Sequence, residues 1–135
     1  METYLFFSNN IDKIREIKSL TNYLKIKIVS PADFGFKQEP LETGKSFSEN
    51  AKIKSLFAFN KLKVPSFADD SGICIEALNW KPNIYSKRFI ENFKNKNDCL
   101  RHIIRKAAKT KKFRAYFKTS ISLTLSANYH IIFEG

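Results

Sequence analysis

Apolar and polar positions change rhythm several times along the chain, and each change predicts an element. Tyr4-Leu5-Phe6-Phe7 is a short apolar run halted by Ser8-Asn9-Asn10, the pattern of a buried strand entering a turn. Ile11, Ile14, Ile17 and Leu20 then recur at near-helical spacing with Asn10 placed as N-cap, so a strand, a turn and a helix open the chain. Lys25-Ile26-Lys27-Ile28-Val29 alternates as a second strand before Pro31. Ser46-Phe47-Ser48-Glu49 has the S-x-x-E form of a capping box. After it, Ala51, Ser55, Ala58 and Leu62 share one face of a helix that runs to about Lys63 and is ended by Pro65. Ser66-Phe67-Ala68 predicts a short strand delivering Asp69-Asp70-Ser71-Gly72 at its C-terminal end, with Ile73-Cys74-Ile75 continuing beyond a bend. Another amphipathic helix begins at Asn97 or Asp98 and carries Leu100, Ile103, Ile104, Ala107 and Ala108. From Phe113 the period shortens to two, through Ala115, Phe117, Thr119, Ile121, Leu123 and Leu125, a long strand whose aromatic start looks like core. Residues 126–129 form a turn, and His130-Ile131-Ile132-Phe133 returns as the hairpin partner.

Strands alternating with helices and then a late hairpin indicate an α/β fold: a mixed, twisted sheet with flanking helices and a cleft at the strand ends, where open sheets present ligand sites. At 135 residues a single domain over 1–135 is expected. Composition removes other classes. The chain is 43% hydrophobic with 13 Phe, far too apolar for a disordered polycation despite a net charge of +11. Four Gly and four Pro exclude collagen-like and Pro-rich chains. No apolar run approaches the roughly 18 residues of a membrane-spanning helix. Met1-Glu2-Thr3 lacks the basic start of a secretory leader, so a cytoplasmic protein is expected. Cys74 and Cys99 form no C-x-x-C pair and are expected as buried free thiols. His102 and His130 are too few for a His-rich metal site and are expected at the surface.

The charge is unevenly placed. Residues 1–38 carry six basic and four acidic side chains, residues 39–76 five and six, and residues 77–135 thirteen and three. An acidic island of Glu39, Glu42, Glu49, Asp69, Asp70 and Glu76 therefore lies within a basic protein. The C-terminal excess is either a solvated face or a means of attracting a polyanion, whether nucleic acid or a small phosphorylated ligand.

Three polar clusters stand at predicted strand ends or helix starts. Ser8-Asn9-Asn10 with Lys13 joins helix-start N–H groups to a cation, suited to a phosphate, though an ordinary N-cap beside an exposed lysine has the same pattern. Glu42-Thr43-Gly44 leads into Ser46, Glu49 and Asn50, where Glu49 has a capping role and Glu42 could be a plain loop carboxylate. Asp69-Asp70-Ser71-Gly72 sets two carboxylates side by side, and their repulsion calls for a cation or hydrogen bonds. A divalent metal is one remedy, since Mg²⁺ takes one or two carboxylates and completes its shell with water and phosphate oxygens. An Asx-turn with solvated acids is the plainer alternative.

Read in order, Ser8-x-Asn10-x-x-Lys13, Glu42-Thr43-Gly44-x-x-Phe47-x-Glu49-Asn50-Ala51-x-x-Lys54, Ala68-Asp69-Asp70-Ser71-Gly72 and Tyr85-Ser86-x-Arg88-Phe89 resemble the inosine/xanthosine triphosphate pyrophosphatase family. The likeness spans nearly the whole chain. It implies metal-dependent hydrolysis of non-standard purine nucleoside triphosphates (ITP, dITP, XTP) to the monophosphate and pyrophosphate. By motif position, Ser8, Asn9, Asn10 and Lys13 would grip the triphosphate, and Glu42 and Asp70 would hold Mg²⁺. Asp70 would also orient or deprotonate the attacking water, and Ser71 would contact substrate. Glu49, Asn50 and Asp69 would support these groups, with Lys54 reaching a phosphate. A homodimer is the usual assembly of such enzymes.

The chain also departs from the family pattern. Asn79, Trp80 and Asn83 stand where glycines are usual before Tyr85, so a less permissive backbone is expected there. The Gly-Phe-Gly-Tyr-Asp and Ser-His-Arg segments that help to enclose the base do not occur, so part of the base pocket is expected to be missing, and an apolar edge at Ile131, Ile132 and Phe133 uncovered. An inactive homologue that still binds a nucleotide or partner is the alternative. A nucleic-acid-binding module, suggested by the basic C-terminal half with Phe89, Phe93, Phe113, Tyr116 and Phe117, is disfavoured because no recognised motif accompanies it.

Overall fold

The computed structural model describes residues 1–135. Its strands are β1 (Glu2–Phe6), β2 (Ile26–Val29), β3 (Ser66–Ile75), β4 (Lys81–Pro82), β5 (Ala115–Ser126) and β6 (Tyr129–Glu134). The helices are α1 (Ile11–Leu20), α2 (Phe47–Leu62), α3 (Ser86–Glu91) and α4 (Lys96–Thr110), with 3₁₀ turns at Pro31–Phe34, Glu76–Leu78 and Asn83–Tyr85. The sheet runs in the order β2-β1-β3-β5-β6, with β4 beside β3. β1 is parallel to β2 and β3, while β5 and β6 form an antiparallel hairpin, so the mixed α/β architecture is as expected. Two compact units are distinguished. The first comprises Met1–Asp70 and Ser120–Glu134, the second Ser71–Thr119 and Gly135.

In the first unit, Leu5, Phe7, Val29, Ala58 and Ala68 make the core, with Phe36, Phe57, Leu62 and Val64 packed against it. Phe7, Phe36 and Phe57 meet in tilted pairs with centroids 5.9–6.4 Å apart, a geometry favoured by the ring quadrupoles. α2 begins as its sequence dictates. Ser46 accepts a hydrogen bond from the Glu49 N–H, but the Glu49 carboxylate reaches one residue further back, to the Lys45 N–H, so the reciprocal half of the capping box is displaced by one position. Ala51, Ser55 and Ala58 are fully buried, as the helical spacing requires. α1 is less buried than its isoleucines suggest: Ile11 and Leu20 are exposed, and only Ile14 and Ile17 are partly covered.

β5 corrects the expected core. The alternation is present, but the set buried is Ser120, Ser122 and Thr124, while Ile121 and Leu123 are half-buried. The reason lies in α2: Ser55 Oγ sits 2.9 Å from Ser122 Oγ and 2.8 Å from Thr124 Oγ1, so these hydroxyls satisfy one another and can be dry. Phe113, Tyr116 and Phe117, read as core, are exposed, Phe117 by 68%.

In the second unit β3 continues without the expected bend, because its far end pairs with β4, Cys74 opposite Pro82 and Ile75 opposite Lys81. α4 starts at Lys96, one or two residues before the expected Asn97 or Asp98, since the Asn95 side chain caps the Asp98 N–H. Its buried position is Cys99, whereas Leu100 and Ile104 face solvent. Asn79, Trp80 and Asn83 adopt positive φ of 56°, 62° and 53°, the region glycine enters without strain. Both cysteines are buried free thiols and both histidines are exposed. No helix is long and apolar enough to cross a membrane.

Candidate functional site

β3 outruns β1. Its parallel pairing covers only Ser66 and Phe67, so Asp69 and Asp70 lie past the end of β1 although still within the extended strand. Successive side chains of a strand point to opposite faces, and this separates the two acids. Each meets its own lysine. Lys13 from α1 places Nζ 2.6 Å from Asp69 Oδ2, and Lys54 from α2 lies 3.7 Å from Asp70 Oδ1. The repulsion expected between adjacent carboxylates is thus relieved by two cations carried on two helices.

Lys54 has a second acid. Glu42 Oε1 is also 3.7 Å from its ammonium, so Glu42 and Asp70, 28 positions apart in sequence, flank one half-buried cation. Glu42 is held by the loop that follows it. The Gly44 N–H donates to Asn50 Oδ1 at 2.8 Å, and the loop runs so close to α2 that a Cβ on Gly44 would stand 2.5 Å from that oxygen and 2.7 Å from the Glu49 Cβ. Glycine is required there by proximity.

Asp70 is the most perturbed acid of the site. Its carboxyl is pushed above the usual carboxylate range, chiefly by burial; Lys54 and a hydrogen bond from Asn50 oppose the rise, and Glu42 and Asp69 add to it. Its Oδ2 is buried without any hydrogen-bond partner. An orphaned carboxylate oxygen is costly unless something else fills its coordination, and a hard cation is the economical filler. No group of three or more His, Cys, Asp and Glu side chains forms a metal cage. A cation held here would have Glu42 and Asp70 as its protein ligands and the remaining positions open to water and phosphate, the arrangement Mg²⁺ sites favour.

The first turn after β1 is ordered by its own polar groups. Asn10 Oδ1 caps α1 by accepting from the N–H groups of Asp12 and Lys13, and Ser8 Oγ accepts from the Asn10 N–H. Asn9 Nδ2 donates to Glu39 Oε1. Glu39 has no assigned role in the sequence motifs, and at 30 positions from Asn9 no local pattern marks it as a partner. Ser8, Asn9, Asn10, Lys13, Glu42, Glu49, Asn50, Lys54, Asp69 and Asp70 all belong to the first unit. Ser71 follows Asp70 along β3 and opens the second, partly buried.

Residues 4–135 match the Ham1 family. A dITP/XTP pyrophosphatase of Borrelia duttonii (strain Ly) is 50% identical over 91 residues, 66% of this chain and 44% of that protein. In that match the chain spans less than half the length of its relative. A dITP/XTP pyrophosphatase of Borreliella burgdorferi (strain ZS7) is 37% identical over all of this chain and 68% of its own length. Among solved structures, a HAM1 protein from Coxiella burnetii superposes with a TM-score of 0.86 at 29% identity, covering 100% of this chain and 70% of that one.

Proposed function

The chain belongs to the Ham1 family, and on that footing we propose that it hydrolyses non-standard purine nucleoside triphosphates of the dITP and XTP type, releasing the nucleoside monophosphate and pyrophosphate. The observation that carries this reading is the orphaned Oδ2 of Asp70, buried beside Glu42 around the single ammonium of Lys54. Glu42 and Asp70 would hold a divalent cation, with Mg²⁺ proposed for its preference for few carboxylates and many phosphate oxygens. The bound metal would neutralise charge on the phosphates and polarise the phosphorus under attack.

The chain's own residues account for the rest. Ser8, Asn9, Asn10 and the N-terminus of α1 offer donors for the triphosphate, and Lys13 brings a cation held in place by Asp69. Ser71 is proposed to touch the substrate. Lys54, exchanging its carboxylate partners for a phosphate, would take up charge on the leaving group. Asp70 is also proposed to orient the attacking water or take its proton, through the carboxylate oxygen the metal leaves free. Water oxygen bonds to the α-phosphorus, the bond to the bridging oxygen breaks, pyrophosphate leaves with that electron pair, and the proton on Asp70 passes to solvent. Glu49 and Asn50 hold the loop that carries Glu42. A single catalytic domain over 1–135, a cytoplasmic location and a homodimer complete the proposal.

The test is pyrophosphate release from dITP and XTP with Mg²⁺. Asp70→Asn and Glu42→Gln should each lower turnover by about 10²-fold or more, the scale seen when a group acting on transition-state charge is removed. Rates equal to wild type in Asp70→Asn would overturn the assignment. Thermal stabilisation by the nucleotide without turnover would instead establish an inactive homologue that binds its ligand.

A further inference from the structure

The fourth recognised motif, Tyr85-Ser86-x-Arg88-Phe89, has no part in the chemistry proposed above. Ser86 has a structural duty, accepting from the Ile73 N–H and donating to the Asn83 carbonyl. Tyr85, Arg88 and Phe89 do something else. They line a cavity of about 480 Å³ within the second unit, bounded also by the 3₁₀ turn Glu76–Leu78, β4, and Lys106 of α4. That volume lies in the range of small-molecule sites.

Its walls divide by chemistry. Pro82, Tyr85 and Phe89 give apolar and aromatic surface, while Lys81, Arg88 and Lys106 bring three cations to the same space. No acidic side chain lines it, and none of the three cations takes part in an ion pair. Arg88 is steadied by the Tyr85 ring, with its guanidinium carbon 5.9 Å from the centroid. A neutral flat ligand would leave three cations unused, and a simple anion would leave the aromatic wall wet. A ligand that is both, a flat heteroaromatic ring bearing phosphate, uses both surfaces.

We infer that this cavity is a second nucleotide-binding site, separate in its residues from the acidic site and independent of the metal. AMP serves as the probe, with adenosine and inorganic phosphate supplying its two halves separately, and EDTA keeps the acidic site free of metal. Calorimetry on the full chain should find saturable AMP binding that weakens as salt is added, with adenosine and phosphate each at least about tenfold weaker. Arg88→Gln combined with Lys106→Gln should weaken AMP binding by at least about tenfold, and Asp70→Asn should leave it intact. Arg88 and Lys106 are exposed, so these exchanges leave the core untouched. No binding at millimolar AMP, equal binding by the double variant, or loss of binding in Asp70→Asn overturns the inference. Because catalysis is read with metal and this site without it, failure of one leaves the other standing.

Discussion

Asp70 keeps one carboxylate oxygen unpartnered while two acids and a lysine surround it, so its proton affinity controls the behaviour of the metal-free protein. A folded pKa above the unfolded value means that the folded state binds this proton more readily. Its stabilising contribution is complete below the unfolded value of about 3.9 and is lost as pH rises through the raised folded value. With EDTA present, Asp70→Asn should therefore melt higher than wild type near neutrality, and the gap should close as pH falls toward about 4. A melting series across that range checks the sign; an Asn variant melting lower than wild type at neutral pH contradicts it. Gly44 offers a second residue-scale prediction. Gly44→Ala drives a methyl into Asn50 and Glu49 and should destabilise by roughly 1–3 kcal/mol, with a fall in turnover as the loop bearing Glu42 shifts. Denaturant midpoints and pyrophosphate release measure the two effects. The acids and lysines of the site were legible in the sequence as motifs. Their partnership was not, because the pairing of Lys13 with Asp69 and of Lys54 with both Asp70 and Glu42 depends on which face of β3 each side chain takes.

Helix and strand boundaries show the same division between local and distant causes. Asn10 and Ser46 cap α1 and α2 where the sequence places them, since a cap is settled within a few residues. The burial of β5 is decided elsewhere: its polar and apolar sets alternate equally well, and the polar one faces Ser55, 67 residues before Ser122, which satisfies the Ser122 and Thr124 hydroxyls. The C-termini of α2 and α4 are also informative. Lys63 and Lys111 occupy left-handed conformations, φ 56° and 54°, at positions where glycine is favoured. Lys63→Gly should stabilise by up to about 1 kcal/mol, visible as a higher denaturant midpoint at unchanged slope. A lower midpoint would show that the lysine side chain contributes more than its backbone strain removes.

For the whole molecule, the two quantities that matter are charge and uncovered apolar surface. The net charge of +11 resides almost entirely beyond residue 76. β6 ends the sheet order, and Ile132 and Phe133 on it are exposed by 40% and 56%. An apolar terminal strand invites pairing with another chain. Sedimentation should show association that grows with protein concentration and declines in Phe133→Lys, a surface change that leaves the core intact. Indifference to the substitution would place any association elsewhere. The two flanking lysines have a further consequence. A free divalent ion bridging Glu42 and Asp70 must displace the Lys54 ammonium from between them, whereas an ion escorted by a polyphosphate brings that ammonium a new partner. Titration with the bare salt should therefore understate affinity, and uptake of ion and nucleotide should be mutually reinforcing.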